Sequence, residues 1–490
     1  MSAERCDLDA GFHEPEADLL GPFSWTRGRF ALRVASPARY LLLEARYGGV
    51  AGTLAAAGAP APAPLRRGWQ VAGLDLGAAR SGSVALEVSP VVPVDGDPRE
   101  LGLAIRRASA TNDAERFERL LAREENAREN EAEFRAGAVL LRSAPPHLRV
   151  TVERACNVVP RCVYCEWDWA KRLEKGSRLD VASAGLESLG RFGRLARQVV
   201  DCSYGEPFLE KRLGAFLADL ERRDTRLEMT CNGQILGPAE RRLVLGKDVV
   251  LYVSLDAATR EAYARLRNDR FDLLVENVTA LCRERREHGG KPRVVVSFIV
   301  MRSSVREFGA FLDLVRGIGA DAVKLRSLFA EGFLLPPATE RGGAPFRYRD
   351  EALEPGEERA FAAEAERLAA EKGVGLHVDT DEFGKEERRD PSLPLCREPW
   401  ETAYVLNRGI MPCCFGKRPV ATLEGVAPEG AEAAIEAAFN GAELREIRSA
   451  LARRELPRYC RESPSCPIVK RRLEEERAAG REKGEERCPA

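Results

Sequence analysis

Histidine is nearly missing from this chain. Among 490 residues there are four, His13, His147, His288 and His377, and none lies near a cysteine cluster in sequence. Mixed Cys/His zinc fingers are therefore a poor fit. A charge of one sign is missing too: Lys and Arg number 76 against 77 Asp and Glu. That balance gives no global field for nucleic acid or an anionic membrane. No uncharged apolar run reaches the roughly 18 residues that a membrane span needs. The opening MSAERCDLDAGFHEPEADLL is acidic and has no secretory pattern, so a cytoplasmic location is expected. In a reducing compartment, thirteen cysteines argue against a disulfide framework and for metal or redox chemistry.

The length suggests about three domains. After a tail at 1–21, residues 22–110 read as short strands punctuated by Gly, Pro and Ala, a sandwich-like all-β domain. Residues 111–146 form a charged helical connector, ended by the SAPP stretch. Strands and helices alternate over 147–335. Six candidate strands (HLRVTVE, RQVVDCSYG, RLEMTCNG, VVLYVSLD, RVVVSFIV and DAVKLRSLF) predict an α/β fold with a parallel sheet curled into a partial (β/α)6 barrel. A linker with a helix spans 336–390, a small Cys-rich domain 391–468, and a charged tail, solvated helix or disorder, 469–490.

RACNVVPRCVYCEW places Cys156, Cys162 and Cys165 directly after the first of those six strands. The rim at the C-terminal ends of parallel strands is where chemistry collects. Three thiolates leave one metal position open, as in a [4Fe–4S] cluster held through three irons. A zinc site completed by a distant cysteine, or unrelated core thiols, remains the alternative. The next three strands each end in polar or glycine positions: SYGEPFL, TCNG and VSLDA. The Gly205-Glu206-Pro207 turn is suited to an ammonium group, and Ser254 and Asp256 to ribose hydroxyls. Taken singly, a Ser-Leu-Asp at a strand end is more often a helix cap.

This succession resembles the radical S-adenosylmethionine superfamily. The resemblance covers 147–330 and implies a partial barrel with S-adenosylmethionine on the open iron of a [4Fe–4S] cluster. It gives Cys156, Cys162 and Cys165 to the cluster and places Tyr164 as the aromatic beside the third thiol. Gly205, Glu206 and Pro207 fall to the methionine amino group, Ser254 and Asp256 to the ribose. Asn232 and Arg267 match positions common in the family. The spacing here is CX5CX2C rather than the usual CX3CX2C, so the first loop must bulge, with Pro160 shaping part of it. Trp167 and Trp169 follow as pocket walls or packing residues.

A second group, CREPWETAYVLNRGIMPCCFG and LPRYCRESPSC, brings five thiols: Cys396, Cys413, Cys414, Cys460 and Cys466. A hairpin over YVLNRGIMP would bring Cys413 and Cys414 near Cys396. Four thiolates make a closed site, for which structural zinc competes with iron–sulfur. The pattern resembles the SPASM/twitch extension of the same superfamily and implies one auxiliary [4Fe–4S] cluster, with Cys413 and Cys414 undecided between them. Cys202, Cys231 and Cys282 read as small buried residues, and Cys6 and Cys488 need no role.

The resemblance implies an oxidoreductase that forms a 5′-deoxyadenosyl radical and takes hydrogen from a substrate C–H bond, served by a flavodoxin or ferredoxin. A carbohydrate or aminocyclitol substrate, oxidised or epimerised, is expected. The alternatives are a peptide- or protein-modifying maturase and a non-catalytic, zinc-stabilised binding protein. Neither nucleic acid nor a membrane is an expected partner.

Overall fold

The computed structural model describes residues 4–18, 21–94, 97–165, 181–328, 339–341, 344–378, 390–407, 409–463 and 466–485. Trp167, Trp169 and Cys488 lie outside them. The chain divides into two units, Met1–Arg128 and Glu129–Ala490, and the division falls inside the helix Ala114–Arg135.

The first unit is antiparallel. Its strands are β1 (Glu4–Arg5), β2 (Asp7–Asp18), β3 (Gly21–Ala56), β4 (Ala63–Ser89), β5 (Val92–Val94), β6 (Asp97–Leu101) and β7 (Leu103–Thr111). β3 sits between β7 and β2 and also pairs with β4, while β5 and β6 form a separate ribbon. Burial alternates along β4, with Ala72, Leu74, Leu76, Leu86 and Val88 turned inward. That is the period-2 signature of a sheet with one covered face. One expectation fails. Within the expected tail at 1–21, residues 7–18 are paired, with β2 on β3 from Asp7 opposite Arg33 to Asp18 opposite Gly21. An unpaired strand edge is a liability, and this acidic segment covers it; Cys6 is buried with it.

The second unit is built on a parallel sheet. Its strands are β8 (His147–Val150), β9 (Gln198–Asp201), β10 (Arg226–Cys231), β11 (Val249–Ser254), β12 (Arg293–Val300) and β13 (Ala322–Ser327). They lie side by side in sequence order, each parallel to the next. A short ribbon follows, β14 (Thr339–Arg341) with β15 (Ala344–Phe346). β16 (Gly375–Val378) then extends the sheet beside β13. β17 (Thr402–Leu406) extends it beside β8, and β18 (Gly409–Met411) pairs antiparallel with β17.

The sheet thus has nine strands where six β/α units were expected, and it is open, ending in β16 and β18. The segments 336–390 and 391–468 are not separate from it. Trp400, Ile435, Leu444 and Tyr459 share one hydrophobic core with Leu148, Leu227 and Val296. All five residues of β17 are buried, as expected of a strand that closes a sheet edge rather than standing on a domain of its own.

One face of the sheet is apolar and helix-covered: Leu148, Val199, Leu227, Leu251, Val296 and Leu325 alternate onto it. The opposite face carries Arg149, Glu228, Tyr252, Ser254, Ser297 and Lys324, residues placed together by the strand register. Trp400 anchors the β17 edge. It is fully buried, its Nε1 donates to the Ala138 carbonyl at 2.8 Å, and its ring meets Phe134 edge-on at 5.7 Å. Trp400→Ala is expected to cost about 3–5 kcal/mol, read as a lower urea midpoint for the second unit. A loss below about 1 kcal/mol would remove Trp400 as the anchor.

Candidate metal and cofactor site

The first three thiols lie on the loop that leaves β8. That loop is held at its root by Asp201 and Ser203. The Ser203 hydroxyl donates to the Asp201 carboxylate and accepts from the backbone N–H groups of Val152 and Glu153 at 2.8 and 2.9 Å. Burial raises the Asp201 carboxyl to about 6. Further along, the Cys165 N–H donates to the Cys162 carbonyl at 3.1 Å and the Val163 N–H to the Leu266 carbonyl at 3.0 Å. Val158 and Val163 are buried beneath the loop while Val159 is exposed, beside the cis Val159–Pro160 bond. The longer first spacing is accommodated as an outward bulge.

Gly205 explains why a glycine opens the next turn. A Cβ there would stand 2.3 Å from the Glu153 carbonyl oxygen and 2.6 Å from that of Ala155. No side chain fits, because the thiol loop is packed directly on the turn. The Glu206 N–H donates to the same Ala155 carbonyl at 2.7 Å. Its carboxylate, 1% exposed, accepts from the Asn232 N–H at 2.7 Å and the Phe208 N–H at 3.4 Å. Burial pushes its carboxyl up to about 8, the two N–H groups offsetting only part. Glu206 is a buried acid with no ion-pair partner among the described residues. Pro207 opens the short 3-10 turn that follows.

Asn232 is buried beside it. Its amide donates to Asn157 at 2.8 Å and its carbonyl accepts from the Gln234 N–H at 2.9 Å. Gln234 donates in turn to Tyr263 and Asn268, both at 2.9 Å. Asn157, Gln234, Tyr263 and Asn268 escaped the sequence reading. Their only signal was adjacency to Cys156, to Asn232 and to Arg267.

Asp256 has a left-handed backbone, φ 59°, and is fully buried. One carboxylate oxygen accepts from the Arg267 guanidinium at 2.6 and 3.1 Å and from the Tyr164 hydroxyl at 2.8 Å. The other accepts from the Ser297 hydroxyl at 3.1 Å and the Ile299 N–H at 3.2 Å. Both oxygens are engaged by protein, which gives Asp256 a positioning role in the site. Ser254, two residues earlier, has no hydrogen-bond partner for its hydroxyl among the described residues. Arg267 also reaches the Cys162 sulfur at 3.6 Å, and it lies 5.5 Å over the Tyr164 ring. Burial raises the Tyr164 phenol well above its ordinary value.

In the second group the two adjacent thiols have different surroundings. Cys413 lies within electrostatic reach of Cys396, Cys460 and Cys466 as well as its neighbour Cys414. Cys414 is acted on by Glu398, Arg149 and Tyr404, with Cys466 also within electrostatic reach, and the Tyr404 hydroxyl beside it donates to Glu398 at 2.5 Å. Burial raises the thiols of Cys396 and Cys413 well above their ordinary range and that of Cys460 to about 12, and each thiolate's charge raises its neighbours further. Crowded, buried thiols of this kind are suited to ionise only with a cation among them. Among the described residues no three His, Cys, Asp or Glu side chains are already drawn into a metal-holding group. Cys202 is not merely packed: it is half-buried, with the Arg149 guanidinium 3.9 Å from its sulfur. Cys231 and Cys282 are buried.

Asp256→Ala is expected to cost about 3–5 kcal/mol in chemical denaturation, because it strands the buried Arg267 charge. Ser254→Ala should stay within about 0.5 kcal/mol. Equal effects from the two would show that Asp256 does not lock the site.

No family model matches the chain, and no curated protein matches it. Among solved structures it is similar to Streptococcus suis SuiB, at 15% identity over 66% of this chain and 72% of that one, with a TM-score of 0.45. The SuiB structure bound to S-adenosylmethionine gives 15% identity over 71% and 74%, with a TM-score of 0.45. The anSMEcpe structure with bound AdoMet and Cp18Cys peptide gives 14% over 66% and 96%, with a TM-score of 0.39. Likenesses this distant carry no argument by themselves. No helix among the described residues is long and apolar enough to cross a membrane.

Proposed function

We propose that this chain is a radical S-adenosylmethionine enzyme. The observation that carries the reading is the close approach at Gly205. It presses the thiol loop after β8 onto the turn after β9 and sets a buried carboxylate, Glu206, beside that loop. A metal site with one open position and an acid suited to an ammonium are what the amino group of S-adenosylmethionine requires. Cys156, Cys162 and Cys165 would hold a [4Fe–4S] cluster. When bound, that cluster supplies the electron that splits S-adenosylmethionine into methionine and a 5′-deoxyadenosyl radical.

The protein's part is binding, orientation and exclusion of water. Glu206 receives the ammonium, Gly205 and Pro207 shape the turn that presents it, and Ser254 offers its hydroxyl to the ribose. Asn232 holds Glu206 through its N–H and the thiol loop through Asn157. Asp256 fixes Tyr164 and Arg267, and Arg267 places positive charge at Cys162. Cys396, Cys413, Cys460 and Cys466 would hold an auxiliary [4Fe–4S] cluster, with Cys414 outside the set. The substrate read here is a carbohydrate or aminocyclitol, oxidised or epimerised at a C–H bond. The hydroxyls and charges of the open sheet face suit a polyhydroxylated molecule better than an apolar side chain. A flavodoxin or ferredoxin is the proposed donor.

After anaerobic reconstitution, changing Cys156, Cys162 and Cys165 together to Ala should remove about four irons per chain and leave the remainder. Unchanged iron would refute the assignment of these thiols.

S-Adenosylmethionine binding should also depend on pH. With its carboxyl at about 8, Glu206 is mostly protonated at neutral pH and must release that proton to pair with an ammonium. Affinity should therefore rise from about pH 6.5 as the carboxyl ionises and fall again above about pH 8 as the α-ammonium itself loses its proton. In calorimetry the apparent enthalpy at neutral pH should vary with the buffer's ionisation heat. Glu206→Gln should weaken binding roughly ten- to a hundred-fold, the loss of a charged hydrogen bond of about 1.5–3 kcal/mol, and abolish that rise. Binding that is flat with pH in the unmodified protein would remove Glu206 as the ammonium acceptor.

A further inference from the structure

Several buried guanidinium groups in this protein come with oxygen partners. Arg267 has Asp256, Arg285 has Asp321 and backbone carbonyls, Arg241 has Glu284, and Arg448 has the carbonyls of Pro399 and Val139. Arg149 differs. It projects from β8 onto the polar face of the sheet, its Nε is sealed from solvent, and that atom has no hydrogen-bond partner among the described residues. Its polar contact is the Cys202 sulfur at 3.9 Å, and its guanidinium lies 5.4 Å from the centre of the Tyr404 ring. The nearby Glu398 carboxylate is taken by the Tyr404 hydroxyl at 2.5 Å and forms no ion pair with Arg149. A sealed Nε left without an acceptor costs stability.

Other cations stand nearby. Tyr252, on β11, donates to Glu228 at 3.2 Å, and the Lys324 ammonium lies 5.2 Å over its ring. Arg149 and Arg326 both lie near enough to act on the same phenol. Strand register puts Arg149 and Glu228 in one row across β8, β9 and β10, with Lys324 on the same face of β13. Arg149, Lys324 and Arg326 thus gather around Tyr252 and Glu228, with Glu398 also acting on Arg149. Arg149 itself has no carboxylate in contact among the described residues, and a planar two-oxygen anion is the partner a guanidinium fork fits best.

We propose that this face binds an anionic group of the substrate, a carboxylate or a phosphate, with Arg149 as its principal contact and Lys324 and Arg326 completing the positive field. The substrate is then an acidic molecule, such as a sugar acid or a sugar phosphate, rather than a neutral sugar. This rests on the reading of the polar face as the substrate side of a radical S-adenosylmethionine enzyme, while the anion site itself is tested without that cofactor.

The test uses the full chain, reconstituted anaerobically, with inorganic phosphate, glucuronate and glucose as probes in isothermal titration. Phosphate or glucuronate should bind and glucose should not; the anion that binds more tightly identifies the source. Arg149→Gln should weaken anion binding at least ten-fold, Lys324→Met several-fold, and both should leave S-adenosylmethionine affinity within two-fold. Absence of binding by both anions to the unmodified protein overturns the proposal, as does anion affinity unchanged in Arg149→Gln. A selective loss of S-adenosylmethionine affinity in Arg149→Gln also overturns it, because the guanidinium would then serve the cofactor's own carboxylate. If Arg149→Gln does not fold, Arg149→Lys and Lys324→Met carry the same comparison. Should the unmodified protein bind the anion but not S-adenosylmethionine, the functional reading fails while the anion site stands.

Discussion

The Asp256 carboxylate, fully buried at the end of β11, is the contact on which the site's geometry depends. It accepts from groups on the thiol loop, on the segment after the helix Arg260–Leu266, and on β12. No backbone ladder joins the thiol loop to β12 among the described residues, so this side-chain network does. A buried charge is tolerable only when its partners are complete, which makes the arrangement cooperative: removing any one partner leaves the others unsatisfied. The left-handed backbone at Asp256 lets the carboxylate turn back under the loop rather than out over the sheet edge.

The second organising constraint is steric. At Gly205 two strand-end loops meet with no space for a methyl group. The contact joins the β8 and β9 ends rigidly, so the position of Glu206 relative to the thiols does not depend on long side chains. The two constraints act on opposite sides of the same loop, one through van der Waals exclusion and one through charge.

Sheet edges place the C-terminal segment. An open parallel sheet leaves unpaired backbone at both ends. β16 covers one end and β17 with β18 the other, and that pairing decides where the second thiol group sits. Cys413 and Cys414 follow β18 in a turn, Cys413 within electrostatic reach of Cys396, Cys460 and Cys466 and Cys414 of Glu398, Arg149, Tyr404 and Cys466.

Much of this was legible from residues alone. Alternating strand and helix patterns between His147 and Ser327 named the six central strands, since local periodicity is written in every window of sequence. The thiol spacing and the glycine-acid-proline turn picked out two segments that the fold packs together, because each motif is local. What the sequence hid was non-local. The acidic opening reads as a tail because its role is to pair with β3, and β17 reads as part of a separate domain because its partner, β8, lies far earlier in the chain. The partners of Asp256 were hidden as well, because a carboxylate at a strand end looks the same in sequence whether or not its oxygens meet a buried arginine. The sequence by itself determined which residues could carry charge, thiol or turn. Only the tertiary structure decided which of them were already satisfied, because satisfaction is a property of pairs brought together by folding.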